Sequence, residues 1–132
     1  MKVQAYLAFD GNCHEALNFY GELFNADIKN KETYEDKKMD VPLNYRKKLQ
    51  HAELKGKGIH LMGYDAAPDT PLNVGNNISI SVDLTDKDEA EDVFNNLSQK
   101  GITHHSFRER DWGYFGRCTD KYGISWMVNC NC

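Results

Sequence analysis

Ile78, Ile80, Val82 and Leu84 alternate with Asn77, Ser79, Ser81 and Asp83, the period of a strand with one buried and one polar face. Downstream, Ala90, Val93, Phe94 and Leu97 recur at helical spacing, Asp86 and Glu89 form a capping box ahead of them, and Gly101 ends the stripe. Ile102 to Arg110 and Trp112 to Asn129 then supply three more strands, the last two joined across Asp120-Lys121-Tyr122-Gly123. The same order occurs earlier. Val3 to Phe9 reads as a strand stopped by Asp10-Gly11. Asn12 and Glu15 offer a helix cap, and Ala16, Leu17, Tyr20, Leu23 and Phe24 make a stripe within a helix of about 12 to 25. Asp27 to Glu35 is a polar strand and Asp36 to Tyr45 an exposed loop. Arg46 to Leu54 and Lys57 to Tyr64 form a hairpin over Lys55-Gly56-Lys57-Gly58.

The two halves superpose. A shift of 74 maps Glu15 on Glu89, Ala16 on Ala90, Leu23 on Leu97 and Ile28 on Ile102; a shift of 65 maps Gly58 on Gly123, Ile59 on Ile124 and Met62 on Met127. Each half is strand, helix, three strands. The prediction is an α+β fold of two tandem βαβββ modules, module one about 1–65, a linker 66–76 holding Pro68 and Pro71, and module two about 77–130. One helix only partly covers a four-stranded sheet, so the modules share a core or the chain dimerises.

Composition narrows the function. At 132 residues the chain suits one domain, and a net charge of −4 with interleaved signs excludes a clustered basic surface for nucleic acid or anionic membrane. Apolar runs are too short to span a bilayer and the N-terminus is unlike a signal peptide, so a cytoplasmic protein is expected. Cys13, Cys118, Cys130 and Cys132 lack the spacing of a zinc ribbon or disulfide framework. The terminal Cys-Asn-Cys reads as a frayed tail with two free thiols, with soft-metal binding as the alternative.

The ordered set Tyr6-Leu7-Ala8-Phe9-Asp10-Gly11-Asn12, Glu15-Ala16-Leu17-Asn18-Phe19-Tyr20, His51-Ala52-Glu53-Leu54, Leu61-Met62, Asp65, Trp112-Gly113 and Asp120-Lys121-Tyr122-Gly123-Ile124-Ser125-Trp126 resembles the PhnB-like branch of the vicinal oxygen chelate superfamily, which includes glyoxalase I, extradiol dioxygenases and bleomycin resistance proteins. The resemblance implies that residues 1–132 form a single domain, a cupped mixed sheet with helices outside and a ligand cavity inside, and a homodimer. It also implies metal ligands on the first and last strands of each module. Here those positions align with Val3 or Ala5, Asn77, Met62 and Met127, a set poor in ligands for a divalent ion, so no metal or other cofactor is predicted.

Alternation puts Ser125, Met127 and Asn129 on the cavity face beside Asn77, Ser79, Ser81 and Asp83, and by the repeat His60, Met62 and Tyr64 line the other wall. The expected ligand-binding residues are Met62, Tyr64, Asn77, Ser79, Trp112, Ser125 and Met127. Candidate catalytic residues are His60, His51 and Glu53. His60 is a base, acid or ligand, or else a partly buried histidine bonded to a neighbour. His51 and Glu53, two apart on one strand face, orient a general base or form a structural pair. His104 and His105 are adjacent in a strand, so they face opposite ways and do not share an ion. Arg108, Arg110 and Arg117 clamp an anion, stack on Trp112, or pair with Glu109, Asp111 and Asp120. No nucleophile elbow, phosphate loop or methyl-donor site is recognisable. The reading is a binder of a small organic ligand; a metal-dependent lyase, isomerase or dioxygenase with unconventional ligands, and a drug-sequestering protein, are the alternatives.

Overall fold

The computed structural model describes all residues, Met1–Cys132. Eight strands and two helices follow in the order β1 (Tyr6–Phe9), α1 (Cys13–Phe24), β2 (Ala26–Thr33), β3 (Leu49–Gly56), β4 (Ile59–Asp65), β5 (Ile80–Leu84), α2 (Lys87–Ser98), β6 (Ile102–Arg110), β7 (Gly113–Thr119) and β8 (Ser125–Cys130), with a single 3-10 turn at Leu43–Tyr45. The chain divides into two compact units, Met1–Asn73 and Val74–Cys132. Each is one βαβββ module of an α+β fold. The first sheet runs β1-β4-β3-β2 and the second β5-β8-β7-β6. In both, the first strand pairs parallel with the last and the remaining pairs are antiparallel.

Side-chain alternation decides which sheet face the helix covers. Gly63 in β4 faces α1, where an added Cβ would stand 3.2 Å from the Cys13 sulfur and 3.3 Å from the Phe9 ring, so Leu61, Gly63 and Asp65 point to the helix and His60, Met62 and Tyr64 to the opposite face. Phe9, Cys13, Ala16, Leu17, Tyr20, Ala52 and Leu54 are fully buried there. Each large apolar side chain so buried stabilises the unit by roughly 1.5–3 kcal/mol. In the second unit Phe94 of α2 lies against Gly116, and Trp126, Val128 and Cys130 are buried on that side. The repeat survives in three dimensions: Ala16 and Ala90, aligned by the shift of 74, are both fully buried on their helices.

Several boundaries move. β1 begins at Tyr6, not Val3, because its parallel ladder starts at Tyr6 opposite Met62; a strand needs a partner, and β-propensity does not provide one. β3 starts at Leu49 rather than Arg46, after the 3-10 turn. β5 begins at Ile80, where its parallel ladder with β8 starts opposite Trp126. The hairpin turn is the two residues Lys57-Gly58, with Gly58 at φ 76. Asp86 accepts from the Glu89 N–H at 3.3 Å, as the capping box requires. Asn12 makes no such side-chain bond; the Cys13 N–H is taken by the Asp65 carboxylate from β4 instead. After α2 the left-handed residue is Lys100, φ 62. Gly101 is small for another reason: a Cβ there would sit 2.2 Å from the Thr119 carbonyl oxygen. Cys130 and Cys132 are joined by a disulfide rather than free in a frayed tail.

Candidate site on the open face of the first sheet

Residues two apart on a strand share a face, so His51 and Glu53 of β3 lie on the face that α1 leaves uncovered. Register places Glu53 opposite Met62 and Lys55 opposite His60, which sets His60 on the diagonal from Glu53, within reach of a long side chain. His60 Nε2 lies 2.7 Å from Glu53 Oε1 and His51 Nε2 3.7 Å from Oε2. A carboxylate only accepts, so His60 Nε2 carries the hydrogen. On the far side of His51, Nδ1 lies 2.8 Å from the Tyr6 hydroxyl of β1. The Tyr6 ring also contacts His51 at 5.6 Å and stands edge-on to Tyr64 at 6.2 Å between centroids. Sequence spacing suggested the His51–Glu53 pair; only strand register adds His60 and Tyr6.

Asn30 is a member that sequence reading missed. β2 is irregular between Lys29 and Glu32, and Asn30 there has φ 54, a conformation asparagine tolerates better than most residues. The kink aims its amide at Glu53, with Nδ2 donating to Oε2 at 2.6 Å. An asparagine inside a polar strand was the only available signal. The Asn30 bond, and next the His60 bond, hold the Glu53 carboxyl down at about 2 against the opposing effect of desolvation. The folded carboxyl thus binds its proton less well than the unfolded one. The stabilisation is present above the ordinary value of 4.5 and is lost as pH falls from there toward about 2. Glu53→Gln is expected to flatten this part of the stability profile, as read by urea unfolding at stepped acidic pH. An unchanged profile would show that Glu53 is not held this way.

Tyr6, Tyr64, His51, Gln50, Glu32 and Lys37 line a cavity of about 540 Å³. Lys37 and Glu32 pair at 3.2 Å, so the mouth presents no free charge from that couple. A slightly larger hollow, about 580 Å³, lies by Gly11, Asn12 and Lys48, but its buried carboxylate, Asp65, is occupied by backbone N–H groups.

The remaining expected site residues separate. Ser79 and Ser125 share a hydrogen bond of 2.7 Å on the open face of the second sheet, and Met127 lies opposite Ser81 there. Asn129 donates to Ser81 at 3.0 Å, and Ser81 to Asp83 at 3.2 Å. Asn77 sits in the bend before β5, off the sheet, and Trp112 stands 61% exposed in the β6–β7 turn. Neither joins the Ser79–Ser125 cluster. Arg110 lies over Phe115, not Trp112. Asp120 is buried and bonded to the Trp126 indole N–H rather than lying at the surface. His104 bonds Thr119 and His105 contacts Phe115, two residues on one face of β7, because a register shift between Thr103 and His105 cancels the ordinary alternation.

The metal chemistry of the resembling superfamily does not fit these donors. Register sets Tyr6 beside Met62 and Ser81 beside Met127, whereas Val3, Ala5 and Asn77 precede their strands. Phenol, hydroxyl and two thioethers are poor partners for a divalent ion that must polarise oxygen. His60 bonds to Glu53, with His51 3.7 Å from the same carboxylate, and no group of three or more His, Cys, Asp or Glu converges so as to hold an ion. No helix is long and apolar enough to cross a membrane.

Residues 1–129 match the family model described as 3-demethylubiquinone-9 3-methyltransferase. Protein YjdN of Escherichia coli (strain K12) is 26% identical over 140 residues, covering 98% of this chain and 95% of that protein. Protein PA1353 from Pseudomonas aeruginosa is 32% identical with a TM-score of 0.87, covering 98% of this chain and 97% of that one. A putative 3-demethylubiquinone-9 3-methyltransferase, PhnB protein, from Bacillus cereus is 26% identical with a TM-score of 0.85, covering 98% and 99%.

Proposed function

The chain belongs to the PhnB-like family described as 3-demethylubiquinone-9 3-methyltransferase, within the vicinal oxygen chelate superfamily, and from that premise we propose that it binds a small organic molecule on the open face of the first sheet, with no resident metal. The observation that carries this reading is the Tyr6–His51 hydrogen bond, backed by Glu53 and His60, on the wall of the 540 Å³ cavity. That volume suits a ligand of ordinary cofactor or drug size. Tyr6 and Tyr64 offer ring surface, and the Tyr6 hydroxyl and Gln50 offer polar contacts, so the favoured ligand is planar and apolar with a carbonyl or hydroxyl at one end. The methyl transfer in the family description is not carried over into this reading. The reading treats residues 1–132 as one cytoplasmic, homodimeric domain, and sedimentation of the pure protein at twice the chain mass would agree with the dimer.

Calorimetry against a panel of aromatic carbonyl and hydroxyl compounds tests the proposal. At least one compound class should bind, and His51→Ala and Tyr6→Ala should each weaken it about tenfold or more, roughly 1.4 kcal/mol, while the fold is retained. Binding indifferent to both substitutions would overturn it. A stoichiometric divalent ion lost on His60→Ala would turn the reading to a metal-dependent lyase, isomerase or dioxygenase. Micromolar binding of a cationic drug without turnover would turn it to sequestration.

A further inference from the structure

The second unit carries a feature unrelated to that cavity. Cys130 and Cys132 form a disulfide across one intervening residue, with Cα atoms 5.3 Å apart. Its two ends are unlike. Cys130 closes β8, opposite Leu84 and Tyr114 in the ladders, and is 1% exposed. Asn131 donates its N–H to the Leu84 carbonyl at 3.4 Å, and Gly113, φ 141, lies so close that a Cβ would stand 2.1 Å from the Cys130 carbonyl oxygen. Cys130 is therefore fixed, while Cys132 is exposed. Cys132 and Asn131 form one wall of a cavity of about 410 Å³ whose other wall is the end of β6, the turn after it and the start of β7, Glu109 to Tyr114. Arg110 presents a buried Nε without a partner at this wall, and Trp112 stands exposed beside it.

We propose that Cys130 and Cys132 are a thiol–disulfide exchange site for low-molecular-weight thiols that enter the cavity beside Trp112. An incoming thiolate attacks the exposed Cys132 sulfur and forms a mixed disulfide. The Cys130–Cys132 bond breaks, and Cys130 leaves as a thiolate that takes a proton. A second thiol attacks the mixed disulfide at the small-molecule sulfur and releases Cys132 as a thiol. Two thiols are thereby oxidised to one disulfide and the protein disulfide is reduced to two thiols. Separation by a single residue keeps the partner sulfurs within reach, so reclosure is intramolecular and fast. The other two cysteines do not compete. Cys13 and Cys118 are buried, and desolvation pushes both thiols up, Cys118 to about 11, which leaves them protonated and inert. Reduction also frees Cys132 from the wall facing Trp112, so the indole senses the redox state.

The test equilibrates the whole protein with glutathione buffers of stepped redox ratio, followed by acid quenching, alkylation and peptide mass mapping. Cys130 and Cys132 should pass together from disulfide to dithiol in one two-electron transition, while Cys13 and Cys118 stay reduced. Trp112 fluorescence should change with the same midpoint, and Trp112→Phe should abolish that change. Cys130→Ser should trap one glutathione on Cys132. Cys132→Ser, at an exposed position that leaves β8 intact, should abolish both the adduct and the fluorescence change. Four free thiols at every ratio, a disulfide that opens only in denaturant, or glutathione found on Cys13 or Cys118 would each overturn the proposal.

Discussion

Asp65→Asn lowers the stability of the first unit by about 2–4 kcal/mol, the expected cost of leaving a buried N–H facing a group that cannot accept it. Asp65 is 1% exposed at the end of β4. One oxygen accepts from the Cys13 N–H at 2.8 Å and the other from the Leu49 N–H at 2.9 Å, so the carboxylate ties the start of α1 to the start of β3. Its main-chain carbonyl accepts from the Tyr34 hydroxyl at 2.5 Å. An asparagine has the same shape but only one acceptor oxygen, and its amide nitrogen must point at Cys13 or at Leu49. Hydrogen exchange should show one of those two amides losing protection, with urea unfolding followed by circular dichroism giving the stability change. Burial pushes the Asp65 carboxyl up, against the N–H bonds that pull it down. The folded form thus holds its proton more tightly than the unfolded chain, and this group's ionisation costs stability as pH rises through that interval. The asparagine variant should lack that component. A variant as stable as the wild type would show that the two N–H groups find other partners.

Asp120→Ala is expected to destabilise the second unit by a similar amount, about 2–4 kcal/mol. Asp120 Oδ1 accepts from the Tyr122 and Ile124 N–H groups at 2.9 and 3.0 Å, which shapes the β7–β8 turn. Oδ2 accepts from the Trp126 indole at 2.8 Å, a side chain only 1% exposed. Removing the carboxylate strands the indole N–H inside the unit, away from water. A double-mutant cycle isolates that bond: Trp126→Phe removes the donor, and the coupling to Asp120→Ala should be about 1.5–3 kcal/mol, as for a hydrogen bond to a charged group. Measured in a Trp112→Phe background, Trp126 fluorescence reports unfolding of the single-site variant directly. Additive effects would mean that Asp120 serves the turn alone.

Neither aspartate announced its role in the sequence. Asp65 reads as the last residue of module one and Asp120 as a turn residue open to surface pairing, because each takes its partners from segments that only folding brings near. The helix stripes, the hairpins and the alternation of β4 and β8 were legible, since they depend on residues a few positions apart. That alternation correctly sent His60, Met62 and Tyr64 to the face away from α1. Asn77 failed because alternation was continued beyond the end of the partner strand. The histidines at 104 and 105 failed because a register shift, invisible in composition, broke the period. Asn30 was missed for the same kind of reason: a bulge, not a pattern, turns its amide to Glu53.

Local pattern was enough to establish two βαβββ units, their order, the shared face of His51 and Glu53, and the face on which His60, Met62 and Tyr64 stand, because helical and strand periods are properties of neighbouring residues. Folding in three dimensions settled where strands end, which donors cap α1 and which glycines must be small. It also brought Tyr6, Asn30, His51, Glu53 and His60 into one polar cluster. Those outcomes depend on ladder register and on contacts between residues far apart in sequence, such as Asp65 with Cys13, 52 positions away, and a local pattern carries no information about such distances.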